Sequence, residues 1–223
     1  MEIKKLEKAF VGSFSKFLAK NVNLNKHIHG VSLLPISNNK IKGDNLIISL
    51  GMERDGYFTG LYNYFGGKAS DKVDAGEAKA KAVATVLFQE VYEEMGIILT
   101  YKLFKKCLLG ITENPYMNGV SLLFVVHISD IDPDVWLDVM TERRKNKNLP
   151  WNLQEMSKID NVKVNDVIKY CPYVDDYDPS GKCEYSFYVI STIDAILPYY
   201  EMLSRFNRVQ FDEFETTKNF DLY

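Results

Sequence analysis

The stretch from Asp74 to Gly96 constrains the fold of this chain more than any other. Ala78, Ala80, Ala82 and Ala84 have high helix propensity, and Leu87 and Met95 add to it. Asp74-Ala75-Gly76-Glu77 has the form of a capping box with Asp74 as the N-cap. Gly96 is a natural stop, because glycine takes the left-handed conformation that closes a helix. A helix is therefore expected over 77–95, and the rest of the chain must supply the surface it packs on.

Strand-like runs flank it. Val31 to Ile36 and Asn45 to Leu50 are separated by a polar stretch, Ser37 to Asp44, that reads as a hairpin-like loop. Asp55-Gly56 and Gly60 mark turns, and Tyr62 to Phe65 leads into Gly66-Gly67. Beyond the helix, Leu103 to Ile111 and Val120 to Ile128 read as strands. The second is apolar enough to be central and buried on both faces, with His127 a structural residue at its end. Residues 2–20 read as an amphipathic helix, since Ile3, Leu6, Phe10, Phe14, Phe17 and Leu18 recur at spacings of three and four. Its lysines would suit a membrane surface, but an aromatic stripe at that spacing is better satisfied by packing on the domain. Asp132-Pro133 opens an expected helix over 132–150, residues 151–184 read as irregular, Tyr185 to Ile190 as a last strand and Ile193 to Phe206 as a last helix.

A chain of 223 residues with 46% apolar and 26% charged residues suits one soluble domain, taken here as 1–223. The net charge of -3 gives no global attraction to nucleic acid or anionic membrane. Cys107, Cys171 and Cys183 are odd in number and show no Cys-x-x-Cys spacing, so free thiols in a reducing cytoplasm are expected. No stretch approaches the length of a membrane span.

The chemistry lies at the end of the 77–95 helix. Glu90, Glu93 and Glu94 are spaced i, i+3, i+4 and share one helix face. Like charges at that spacing repel, and the helix dipole disfavours anions in the last turns by about 0.3–1 kcal/mol each. A bound cation would reverse both effects, and carboxylate oxygens suit Mg²⁺, which is held with waters and phosphates. Upstream, Gly66-Gly67 allows close backbone approach, so a main-chain carbonyl could complete the coordination.

Gly66-Gly67-Lys68, Glu77, then Gln89-Glu90-Val91-Tyr92-Glu93-Glu94-Met95-Gly96-Ile97 together resemble the Nudix box, G-x5-E-x7-R-E-U-x-E-E-x-G-U with U a bulky aliphatic residue. The resemblance covers residues 66–97. It implies an α/β/α sandwich with a mixed central sheet, extended by an N-terminal helix (1–22) and a long C-terminal flank. It implies metal ligation by Glu90, Glu93 and Glu94 with the Gly67 carbonyl, Mg²⁺ or Mn²⁺ as cofactor, and roles for Glu77 and Gln89 in orienting the glutamates. Lys68 and Arg54 are the nearby candidates for substrate phosphates. The box departs from the pattern twice. Gly67 to Glu77 and Glu77 to Gln89 are each four residues longer than the pattern, and Gln89 stands where the family has arginine.

The activity so implied is hydrolysis of a diphosphate linkage in a nucleoside diphosphate joined to another group. The alternatives are an RNA 5′-end (decapping) hydrolase, to which the basic run Arg143, Arg144, Lys145 and Lys147 would contribute, and a catalytically silent Nudix-like binding module, suggested by Gln89 and the stretched box. Partners are thus a small nucleotide or RNA, with a homodimer left open. Glu113, Glu155, Asp175, Asp176 and Glu184 are candidates for a further carboxylate from a loop. Tyr116, Trp151, Tyr173 and Tyr177 are candidates for stacking on a base.

Overall fold

The computed structural model describes residues 2–38, 46–56, 58–101, 104, 107–113, 119–127, 155–170, 182–190 and 192–193. Helix α1 is Glu2–Asn21. Strands β1 (Ile28–Asn38), β2 (Leu46–Glu53), β3 (Tyr62–Asn63) and β4 (Phe65–Lys68) follow. Then come α2 (Ser70–Asp74) and α3 (Lys79–Met95), β5 (Cys107–Glu113), β6 (Val120–His127), β7 (Met156–Lys163) and α4 (Val164–Ile168).

The seven strands form one mixed sheet. β1 runs parallel to β6 from Ile28 to Ile36, with Leu33 opposite Phe124. Its other edge is shared by two antiparallel partners, β4 at Gly30 to Leu33 and β2 at Ile36 to Asn38. β2 also pairs antiparallel with β7 and with β3, and β5 pairs antiparallel with β6.

Alternation along β6 divides the core in two. Leu122, Phe124 and Val126 face one apolar cluster, and Leu123 and Val125 face the other. On the first face α1 and α3 cover the sheet. Phe10 packs on Phe88 at 5.6 Å between ring centres, and Phe14 packs on Phe104 and Phe124. On the second face Val164 and Val167 of α4, with Val189 and Ile193, cover Leu34, Ile36, Ile48 and Leu50. The result is the α/β/α sandwich with a mixed sheet that the resemblance implied. No described helix is long and apolar enough to cross a membrane.

Several local expectations need correction. Asp74 does not cap the long helix. The longer loop coils into α2, which ends at Asp74, and α3 starts only at Lys79 with Ala78 as an N-cap that offers no side-chain hydrogen bond. The start of α3 is held otherwise: Lys79 Nζ donates to the carbonyls of Leu24, Asn25 and Lys26, tying it to the α1–β1 connection. Gly96 does close α3, at φ 71°. The stretch 151–184 is not irregular throughout, since it holds β7 and α4. β7 escaped detection because Met156 and Ile159 are its buried residues, a spacing of three that does not read as alternation. Residues 185–190 do not form a strand. Tyr185 makes a single parallel bridge to Tyr62, and 187–190 are helical. The expected helix over 132–150 and most of that over 193–206 lie outside the described residues.

Candidate metal centre

The centre is built where β4 crosses the last two turns of α3. Leu87, Val91 and Met95 turn into the core and fix the rotation of the helix. Glu94 is carried inward with them and is buried, while Glu90 and Glu93 are half-buried. The Gly66 N–H donates to Glu94 Oε2 at 2.7 Å. Gly66 must be glycine, because a Cβ there would lie 2.1 Å from the Val31 carbonyl oxygen on β1. Gly67 makes room of a different kind: a Cβ there would lie 2.4 Å from Glu90 Oε1, so its absence lets that side chain lie against the strand. The first glycine admits the neighbouring strand and the second admits the carboxylate. The Gly67 carbonyl oxygen, for its part, lies close to Gly30 of β1.

A third carboxylate comes from outside the box. Glu155 immediately precedes β7, and the Arg54 N–H donates to its carbonyl at 2.9 Å. Carboxylate oxygens of Glu90, Glu94 and Glu155 all lie within 4.8 Å of one another. Glu53, at the end of β2, is not one of these three but lies near Glu94 and Glu155. Its Oε1 accepts from Asn63 Nδ2 at 2.6 Å, and its charge bears on both Glu94 and Glu155.

Crowding shows in the proton affinities. Burial, then repulsion from Glu155 and Glu93, pushes the Glu90 carboxyl up to about 7. Burial and the charge of Glu90 hold Glu94 well above the usual carboxylate range, against the opposing hydrogen bond from Gly66. Glu155 is raised by burial and by Glu93, Glu53 and Asp55. Glu53 is raised by burial, with the Asn63 and Phe58 hydrogen bonds opposing. The compensating charge at Glu90 is Lys72, from the α2 turn.

The other candidates fall in different places. Gln89 Nε2 donates to Glu7 Oε1 of α1 at 2.8 Å, so its bond ties two helices together and does not orient the box glutamates. Glu77, just before α3, pairs with Lys81 in its first turn at 2.8 Å, and not with Gln89. Lys68 is exposed at the end of β4, and its charge bears on His29. Arg54 is half-buried and adjoins the centre through its backbone bond to Glu155. Glu184 is exposed and accepts from the Tyr62 N–H through its backbone carbonyl. The side chains of Glu113 and His127, and all of Tyr116, Arg143, Arg144, Lys145, Lys147, Trp151, Tyr173, Asp175, Asp176 and Tyr177, lie outside the described residues. Sequence reasoning missed Glu53, Asn63 and Lys72. Glu53 left one signal, an acid ending an apolar strand just before the Asp55-Gly56 turn.

A glycine pair on a strand is thus laid over the final carboxylates of a helix that packs on a mixed sheet between two helical layers. The fold is Nudix-like. The Nudix-like box here departs from the pattern, carrying an extra helix in its loop and a glutamine bonded away from its centre. No protein-family model and no curated protein matches the chain. The solved structures that resemble it include a NUDIX hydrolase from Alicyclobacillus acidocaldarius, at 12% identity and TM-score 0.45, over 77% of this chain and 91% of that one. They also include NrtR from Shewanella oneidensis complexed with a 27mer DNA, at 12% identity and TM-score 0.42, over 80% of this chain and 63% of that one. The NUDIX domain of the same NrtR complexed with ADP ribose matches at 12% identity and TM-score 0.40, over 84% and 97%. The present chain therefore falls well short of the whole length of the DNA-bound NrtR chain. At these identities and scores, the likenesses transfer neither ligand nor activity to it.

Proposed function

We propose that this chain is a hydrolase that cleaves a diphosphate linkage in a nucleoside diphosphate joined to another group, with Mg²⁺ as cofactor and Mn²⁺ able to replace it. The observation that carries this reading is the convergence of Glu90, Glu94 and Glu155 within 4.8 Å beside the Gly66-Gly67 backbone. Buried carboxylates so close repel one another and retain protons. The donor set, all hard oxygen, fits a hard divalent cation, whose charge would turn that repulsion into coordination. When bound, such an ion polarises a phosphorus–oxygen bond and lowers the pKa of a water molecule.

The chain's own residues do the rest. Glu90, Glu94 and Glu155 would hold the ion, with the Gly66 N–H fixing one oxygen of Glu94 so that the other can turn to the site. Glu93, half-buried and electrostatically close to Glu90 and Glu155, would hold a second ion or orient water. Lys72, whose charge reaches Glu90, would supply positive charge for substrate phosphates, with Arg54 and Lys68 as the further candidates.

The experiment is a panel of diphosphate compounds incubated with Mg²⁺ or Mn²⁺, with products identified by mass. Cation-dependent cleavage at a diphosphate, lost in Glu94→Gln, supports the reading. One observation favours the silent binding module, namely the engagement of Gln89 with Glu7. Nucleotide binding with no turnover of any compound would replace the first reading with that one.

A further inference from the structure

Asn63 sits between the acidic centre and a segment distant in sequence. Three hydrogen bonds run in series. The Val189 N–H donates to Ser186 Oγ at 3.2 Å, Ser186 Oγ donates to Asn63 Oδ1 at 3.0 Å, and Asn63 Nδ2 donates to Glu53 Oε1 at 2.6 Å. The chain has a direction. A backbone N–H can only donate, so Ser186 accepts there and is left to donate its own proton. That proton selects the oxygen of the Asn63 amide and leaves the NH₂ group for Glu53. Asn63 and Ser186 are both buried, so water does not compete for these bonds. The segment carrying Ser186 is itself docked on β3: the Tyr62 N–H donates to Glu184, and the Ser186 N–H donates to Tyr62.

Glu53 is placed for the centre by β2. Its partner across the β2–β7 ladder is Met156, the residue after Glu155, and the Arg54 N–H binds the Glu155 carbonyl. Two backbone contacts thus bring Glu53 alongside Glu155, and its carboxylate is held by the Asn63 amide at Oε1 together with a hydrogen bond from the Phe58 backbone. A carboxylate aimed by a neutral amide in this way remains an acceptor, since the amide offers it only a donor.

We propose that Glu53 is a further carboxylate acting on the cation of this centre, and that Asn63 and Ser186 are the positioning residues that aim it. The proposal rests on the reading of the centre as a cation site, and goes beyond it by recruiting the segment around Ser186 to metal binding. Outer hydrogen-bonding partners of metal ligands typically matter by about 10–100-fold in affinity.

The test is Mn²⁺ binding to the full chain, followed by the paramagnetic resonance of the free ion and independent of turnover. Glu53→Gln and Asn63→Ala are each expected to weaken Mn²⁺ binding by about tenfold or more, and Ser186→Ala by a smaller factor in the same direction. The double variant Glu53→Gln/Asn63→Ala is expected to bind no more weakly than Glu53→Gln alone, because Asn63 acts through Glu53. A merely structural Asn63 would give losses that multiply. Wild-type affinity in Asn63→Ala, multiplying losses, or a wild-type chain that binds no Mn²⁺ would each overturn the proposal. Should Asn63→Ala fail to fold, Ser186→Ala with unchanged affinity would overturn it equally. A chain that binds Mn²⁺ but cleaves no diphosphate would refute the hydrolase reading alone, and the variants would still decide this one.

Discussion

The backbone N–H of Gly66 and the carboxylate of Glu94 meet at 2.7 Å, although 28 positions separate them in the chain. This bond fastens the Gly-Gly strand to the end of α3 and sets one buried carboxylate within the cluster. Replacing Glu94 by Gln nearly keeps the shape and removes the charge. Turnover of a cleaved diphosphate is expected to fall on the order of 10³-fold, equivalent to roughly 4 kcal/mol of barrier. Folding is expected to survive, and metal-free melting to hold or rise as repulsion within the cluster falls. Steady-state kinetics and thermal melts on the same preparations check both; wild-type turnover would remove Glu94 from the centre.

The two glycines are expected to fail differently. At Gly66 an added methyl meets the Val31 carbonyl of the paired strand, a backbone atom that can yield only if the β1–β4 ladder shifts. Gly66→Ala is therefore expected to destabilise the fold by about 1–3 kcal/mol. At Gly67 the methyl meets the end of the Glu90 side chain, which can swing away. Gly67→Ala is expected to fold nearly as well and to lose cation affinity. Denaturant titration and Mn²⁺ binding together separate the two; equal stability losses would contradict the distinction.

Metal-free stability should depend on pH in a definite sense. Glu90 holds its proton up to about 7, and Glu94 is raised well above its usual range, mainly through burial. The unfolded chain releases these protons near the ordinary glutamate value of about 4.3. The folded state thus binds more protons between those limits, and the stability this contributes is full below about 4.3 and lost as pH rises through about 7. Melting temperature without metal is expected to fall from about pH 5 to about pH 8. Added Mg²⁺ should oppose the fall, most strongly at the higher pH. Glu90→Gln should flatten it. A metal-free profile that rises across this window would refute the assignment.

Gln89 is expected to matter for stability more than for chemistry. Its bond to Glu7 joins α3 to α1, so Gln89→Ala should cost about 0.5–1.5 kcal/mol of folding free energy. Turnover should change by less than about tenfold, below the effect usual for a group that orients metal ligands. Gln89→Arg places a cation beside Glu7 and should be neutral or stabilising. A loss in Gln89→Ala as large as that in Glu94→Gln would return Gln89 to the centre.

The elements with local causes were legible in the sequence. The amphipathic spacing of Phe10, Phe14 and Leu18 produced α1, the alanines and Gly96 produced α3 and its end, and the apolar run of β6 foretold a strand buried on both faces. The shared face of Glu90 and Glu94 follows from helix geometry alone. What tertiary structure decided was every contact between elements. Glu155 and Glu53 reach the centre because β2 and β7 pair antiparallel in a register that sets Glu53 opposite Met156, and no local pattern encodes that register. Gln89 turned to Glu7 because α1 packs along α3, a neighbour that the box motif does not contain. The capping box failed for a related reason. Its four residues carried the right letters, but the longer loop found a helical turn of its own, and Lys79 bonded to the carbonyls before β1 took over the start of α3. Propensity and periodicity act within a few residues, so they fix elements and faces. Which carboxylates meet is fixed by strand register and helix packing, which depend on the whole core.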